Sequence, residues 1–268
     1  MGSYPGAFRI KVEPPREGNR VPEAITVSDP QIDTIPTKDV PRRGRYFFVV
    51  MACLILVIVA VGFTPSFYWP GLYGPPEAAT YNRGAPAYIF AHGFAMTGWF
   101  LLYLVQAIMV AQNRVGMHRQ LGVAGVVLAA ILVPLDGFVI ARSVSRSGLG
   151  ALPVLGDFSL LILFSILVVL SIRARSKPAV HKRLMLIATI AMTAPAIARW
   201  PGAESAIPLS VIVPQLGLMG AILVYDKVIR GRVHHSTVWG MVGYILALGI
   251  AVPLAASSLG QRLVESLK

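Results

Sequence analysis

Seven stretches of this chain are almost continuously apolar: residues roughly 46–64, 88–111, 121–141, 155–172, 184–199, 206–225 and 237–256. Each approaches the ~20 residues an α-helix needs to cross a hydrocarbon core of about 30 Å. A spanning segment must satisfy its own backbone hydrogen bonds, so it is a helix or part of a closed barrel. These runs are far too long and continuous for barrel strands. The pattern therefore predicts an all-α polytopic membrane protein with seven transmembrane helices. Spans two to five would form a four-helix core of two repeated hairpins.

The repeat rests on a short recurrence. His118-Arg119-Gln120-Leu121 opens span three and His181-Lys182-Arg183-Leu184 opens span five, 63 residues later. The far ends match too, because Asp136 follows His118, and Arg199 follows His181, by the same interval of 18 residues. Eighteen residues are about five helical turns and roughly 27 Å, so each pair would share one helix face and reach both membrane surfaces. Polar groups at such places are costly unless they face the bundle interior or serve a function.

Composition sharpens the class. Hydrophobic residues make up 55% of the 268 and charged residues 13%, with a mean hydropathy of +0.67. The formal charge of +12 would suit nucleic acid, but its distribution follows the membrane instead. Thirteen Lys and Arg, from Arg42 to Arg232, fall on the side of the N-terminus, and six fall on the other. That asymmetry obeys the positive-inside rule, so a multi-pass inner-membrane protein with a cytoplasmic N-terminus is expected, with the lipid bilayer rather than nucleic acid as partner. The single cysteine, Cys53 in span one, excludes an intrachain disulfide, a thiolate zinc site and covalent haem attachment. No phosphate-binding loop or zinc-protease motif occurs.

Residues 1–45 hold seven prolines and six of the twelve acidic residues, a composition that cannot order itself by burial. They read as a polar cytoplasmic tail, or as an arm that orders along a partner subunit, ahead of a transmembrane domain at 46–268. The loop at 64–87, with Phe67, Tyr68, Trp69, Tyr73 and Tyr81, reads as an interfacial aromatic belt or a lid over a pocket.

Two groups of residues could carry chemistry. His118 and His181 share one depth at the cytoplasmic surface. They could contact lipid phosphate, ligate a haem b from two helices, or meet a quinone or a metal, although two ligands are few for a bare ion. His92, Asp136, Asp157 and Arg199 share the opposite depth. Asp136 with Arg199 is the natural ion pair, structural or belonging to a proton or quinone site in which His92 exchanges a proton and Arg199 holds an oxygen. His92, Met96, Trp99, Tyr103 and Gln106 recur at helical spacing and should point into the bundle. His234 and His235 read as interfacial, with Ser236 and Thr237 as helix N-caps.

His92, His118-Arg119 with Gly122, His181 with Met185, and Arg199 resemble a bacterial family of predicted multi-helix membrane proteins of unknown function, over about residues 88–200. That resemblance implies a helical bundle. More distantly, helical hairpins with surface histidines are similar to the core of transmembrane b-type cytochromes, which implies haem b between His118 and His181. The functional expectation is membrane electron transfer with haem b or quinone. The alternative is a non-catalytic accessory subunit of a larger membrane complex, anchored through its N-terminal arm.

Overall fold

The computed structural model describes residues 42–73, 84–200 and 209–268, and these fall within one compact unit, Val40–Lys268. The expected tail at 1–45 lies outside the described residues except for its end, where Arg42–Arg45 form one helical turn. No strand occurs among the described residues. The main elements are α1 (Phe47–Phe63), α2 (Ala87–Ala111), α3 (Val115–Ser147), α4 (Ala151–Arg173), α5 (Pro178–Ala191), α6 (Leu209–Arg230), α7 (His235–Ala256) and α8 (Ser258–Glu265). Seven of the resulting segments are long and apolar enough to cross a membrane, in the order read from the sequence.

Helices three and six overrun their apolar runs. α3 has 33 residues and passes through Pro134 without a break, and α6 continues past Tyr225 to Arg230. Hydropathy marks the lipid-immersed portion of a helix, whereas backbone hydrogen bonding carries the helix on into the interface.

The packing is inside-out relative to a water-soluble bundle. Val50, Leu54 and Val57 on α1, Val123, Val127 and Ile131 on α3, and Ile162, Ile166 and Val169 on α4 are all exposed. An exposed apolar surface that recurs on helix after helix marks a face meant for lipid. Polar side chains such as Asp136, Arg183, Gln215 and Asp226 are buried instead.

The fifth span is the centre of the bundle. Within its 18-residue apolar window 72% of the residues are buried, against 17–39% in the windows of the other six spans. α4, α6 and α7 pack against α5, and α1 packs on the short helix Ala194–Ile197 that follows it. Small residues allow this crowding. A Cβ on Gly62 of α1 would collide with the backbone carbonyl of Ala196, so the helix pair closes only on glycine.

The fifth span is also the one that departs most from expectation. The apolar run predicts an unbroken helix from 184 to 199, but α5 ends at Ala191 and a turn at Met192–Thr193 separates it from Ala194–Ile197. His181 and Arg199 therefore do not share one face of a continuous helix. Pro195 lacks an N–H to continue the ladder, and Thr193 returns its hydroxyl to the Ile190 carbonyl at 2.7 Å. Such a break inside a membrane needs substitute partners for the freed carbonyls. Gln215 of α6 supplies them, donating Nε2 to Ile190 O at 2.9 Å and Ala191 O at 3.2 Å.

The N-terminal portion of the aromatic loop folds as a π-helical turn, Thr64–Tyr68, extending α1. Phe67 packs edge-on to Tyr68 and Phe94, and the Tyr68 hydroxyl lies 2.8 Å from Thr97 Oγ1 of α2. Trp69 remains exposed. Tyr81 lies outside the described residues.

Candidate functional site

Polar side chains gather at three levels of the bundle. At the face where α1 begins (the near face), α5 contributes Arg183 and α6 contributes Asp226. The two form an ion pair with exposures of only 1% and 0%. Arg183 Nε donates to Asp226 Oδ1 at 2.9 Å, and its Nη1 donates to Ala179 O at 2.7 Å. Asp226 Oδ2 accepts from the His234 N–H at 3.0 Å and from Thr237 Oγ1 at 2.6 Å. One carboxylate thus joins α5, α6 and the start of α7. The expected N-cap is made by His234, whose Nδ1 accepts from Ser236 N at 3.1 Å, while Thr237 is diverted to Asp226. Burial, then the positive charge of Arg183, pulls the His234 pKa down to about 4.

Sequence reasoning missed this cluster. Arg183 reads as one topogenic charge among thirteen, and Asp226 falls just past the end of the sixth apolar run. Among the described residues Asp226 is the only acidic residue on the near face, and that isolation among cations was the available signal.

Also at the near face, His118 and His181 do come together. Their ring centres are 6.1 Å apart with planes at 82°. His181 Nδ1 lies 2.9 Å from Ser171 O and 2.8 Å from Ser171 Oγ, and that hydroxyl itself reaches His181 O at 3.0 Å. His118 is held by Gln106, the last residue of the stripe on α2. With the amide turned so that both its ends are satisfied, Gln106 Oε1 accepts from Gly122 N at 3.0 Å, and Nε2 donates to His118 O at 3.1 Å and to His118 Nδ1. The rest of the stripe also turns inward: Trp99 is buried edge-on to Phe164 of α4 at 5.0 Å.

At mid-depth, Gln215 of α6 and Tyr244 of α7 are both fully buried, and the Tyr244 hydroxyl donates to Gln215 Oε1 at 2.5 Å. Together they close the α5 break from below.

Above that floor, toward the opposite (far) face, lies a cavity of about 940 Å³. Its walls are mainly apolar, with Val59, Phe100, Leu160 and Leu248 among them. His92, Asp136, Asp157 and Arg199 all line it, so the structure gathers the four far-face residues that the sequence singled out. Their pairing differs from expectation. Asp136 Oδ1 lies 3.5 Å from His92 Nδ1, so its neighbour is this histidine rather than Arg199. Arg199 donates Nη1 to Pro195 O at 2.5 Å and sits over the Phe63 ring at 4.8 Å. The unwinding of span five carries Arg199 off the helix face on which it would have met Asp136.

The His92–Asp136 contact is longer than a formed hydrogen bond. Among the described residues, Nδ1 of His92 is a buried polar atom without a hydrogen-bond partner. Buried polar groups are normally satisfied, so an orphan on a cavity wall is a place for a ligand atom.

No family model matches the chain, and neither a curated protein nor a solved structure does. Fold and polar centres by themselves define a multi-pass, α-helical membrane protein with a cavity at a broken helix.

Proposed function

We propose that the far-face cavity binds a quinone-type amphiphile and that the protein serves membrane electron transfer. The observation that carries this reading is the cavity's division of labour. Apolar walls of about 940 Å³ would take a ring and the first segment of a lipid-like tail, while His92, Asp136, Asp157 and Arg199 would face the oxygens. Arg199 would donate to one carbonyl oxygen. The orphan Nδ1 of His92, 3.5 Å from a carboxylate, would exchange a proton with the other oxygen. Ionisable groups inside a membrane protein mark functional pathways more often than they mark stability.

The test is extraction of the purified protein with organic solvent and quantification of quinone per chain. Near-stoichiometric quinone is expected, falling at least tenfold in His92→Leu. Absence of quinone from the extract, and again after incubation with ubiquinone or menaquinone, would sink the reading.

The second reading, an accessory subunit of a larger membrane complex, rests on the tail at 1–45. Deleting residues 1–40 separates the two: loss of a co-purifying partner with unchanged quinone content would favour the subunit.

A further inference from the structure

The two near-face imidazoles are held in opposite hydrogen-bonding states. Around His181, the Ser171 hydroxyl gives its proton to His181 O, so Nδ1 faces two acceptors, Ser171 O and Ser171 Oγ. Nδ1 therefore carries the proton, and Nε2 of His181 presents a bare lone pair. A histidine whose Nδ1–H is anchored on a backbone carbonyl is the arrangement that fixes a metal-ligating imidazole in tautomer and orientation. His118 is the reverse, with Nδ1 accepting from the Gln106 amide and Nε2 protonated. Turning that one amide by half a rotation puts its oxygen on Nδ1 and frees the His118 Nε2 lone pair as well. The cost is two hydrogen bonds, the one from Gly122 N and the one to His118 O.

We propose that His181 and His118 bind one borderline divalent transition-metal ion, of the Zn²⁺ or Co²⁺ kind, at the near face, with the Gln106 amide setting the tautomer of the second ligand. The spacing fits: a metal about 2.0–2.1 Å from each ring nitrogen places two imidazole centres about 5 Å apart at a tetrahedral angle and a little over 6 Å apart when the nitrogens lie opposite each other. The observed separation is 6.1 Å. Both ligands stand on rigid helices, His118 in the first turn of α3 and His181 in the first turn of α5, and both are half-buried. Among the described residues no cluster of three or more His, Cys, Asp or Glu forms a metal cage, so water completes the coordination shell. Arg119 beside His118 is exposed, where solvent screens its repulsion of a cation.

The site lies on the opposite face from the quinone cavity and stands independently of it. The experiment is titration of the metal-free, detergent-purified full chain with Co²⁺, read by its visible d–d absorption, and with Zn²⁺ in competition. One ion per chain is expected. His181→Ala and His118→Ala should each weaken it at least tenfold. His235→Ala, which changes an exposed histidine on the same face, should leave it unchanged. Gln106→Glu supplies a carboxylate to His118 Nδ1–H and should tighten binding about tenfold or more. That gain cannot arise from misfolding. Unchanged affinity in His181→Ala, dependence on His235 instead, or no binding at micromolar Co²⁺ would overturn the proposal. A haem α-band in the reduced protein that requires both histidines would overturn it too, by giving the pair to porphyrin iron.

Discussion

The Arg183–Asp226 cluster and the His92–Asp136 pair are both ionisable groups inside a membrane bundle, yet they are built in opposite ways. In the first, each ion is closed off. Asp226 takes bonds from Arg183, His234 N and Thr237, and Arg183 spends a further nitrogen on Ala179 O. Each of these buried nitrogens and oxygens has a partner. In the second, the contact is 3.5 Å long, a buried nitrogen has no hydrogen bond, and a large cavity adjoins. A saturated polar network ties helices together, whereas an unsaturated one beside a void is a place for a ligand. The two regions should therefore answer to mutation differently, the near one in stability and the far one in binding.

The largest effect should come from splitting the closed pair. Asp226→Asn or Arg183→Met strands a buried charge and should destabilise by about 3–5 kcal/mol. The double variant Arg183→Met/Asp226→Leu should cost well below the sum of its singles in detergent melts. Strict additivity would show that the network is not one unit.

Next comes the helix break. Gln215→Leu leaves Ala191 O and the Tyr244 hydroxyl without the partner described, removes one of the donors to Ile190 O, and should cost about 1–3 kcal/mol. Because Gln215 also floors the cavity, this variant should weaken quinone binding as well, where Asp226→Asn should not. Equal behaviour of the two would erase the distinction between the regions.

A smaller, pH-dependent effect belongs to His234. Its folded pKa of about 4 lies below the ordinary 6.5. The unfolded chain therefore takes up a proton before the folded one does. Stability should be flat above pH 6.5 and fall as pH drops from 6.5 towards 4. Protonation there also removes the Nδ1 lone pair that caps Ser236 N. His234→Asn, which keeps a capping side chain, should flatten that stretch of the pH–stability curve.

The smallest stability change should follow His92→Leu. Its partner is distant and its Nδ1 makes no hydrogen bond, so less than about 1 kcal/mol is expected. Quinone content is where that substitution should register.

Much of this was legible in the chain. Apolar runs located the seven spans, and the helical spacing from His92 to Gln106 found an inward face. The shared depth of His118 and His181 correctly brought two imidazoles together from positions 63 residues apart in sequence. The failures have one origin: each needed knowledge of where a helix stops. The break after Ala191 was hidden because Ile, Ala and Met continue the hydropathy straight through it, and with it went the pairing of Asp136 with Arg199. Asp226 was lost because α6 runs one turn beyond its apolar segment. Hydrophobicity reports the solvent around a helix, and it says little about which backbone carbonyls a neighbour such as Gln215 will satisfy.

The most direct test of the contrast between the two regions is the thermal stabilisation of the purified protein by a short-chain ubiquinone. At a ligand concentration of about one hundred times Kd, a site specific to the folded state adds roughly 2.7 kcal/mol. Wild type and His118→Ala should both show this concentration-dependent rise in Tm, and His92→Leu and Arg199→Gln should lose most of it. An equal rise in all four proteins would contradict the assignment of the far-face cavity as the binding site.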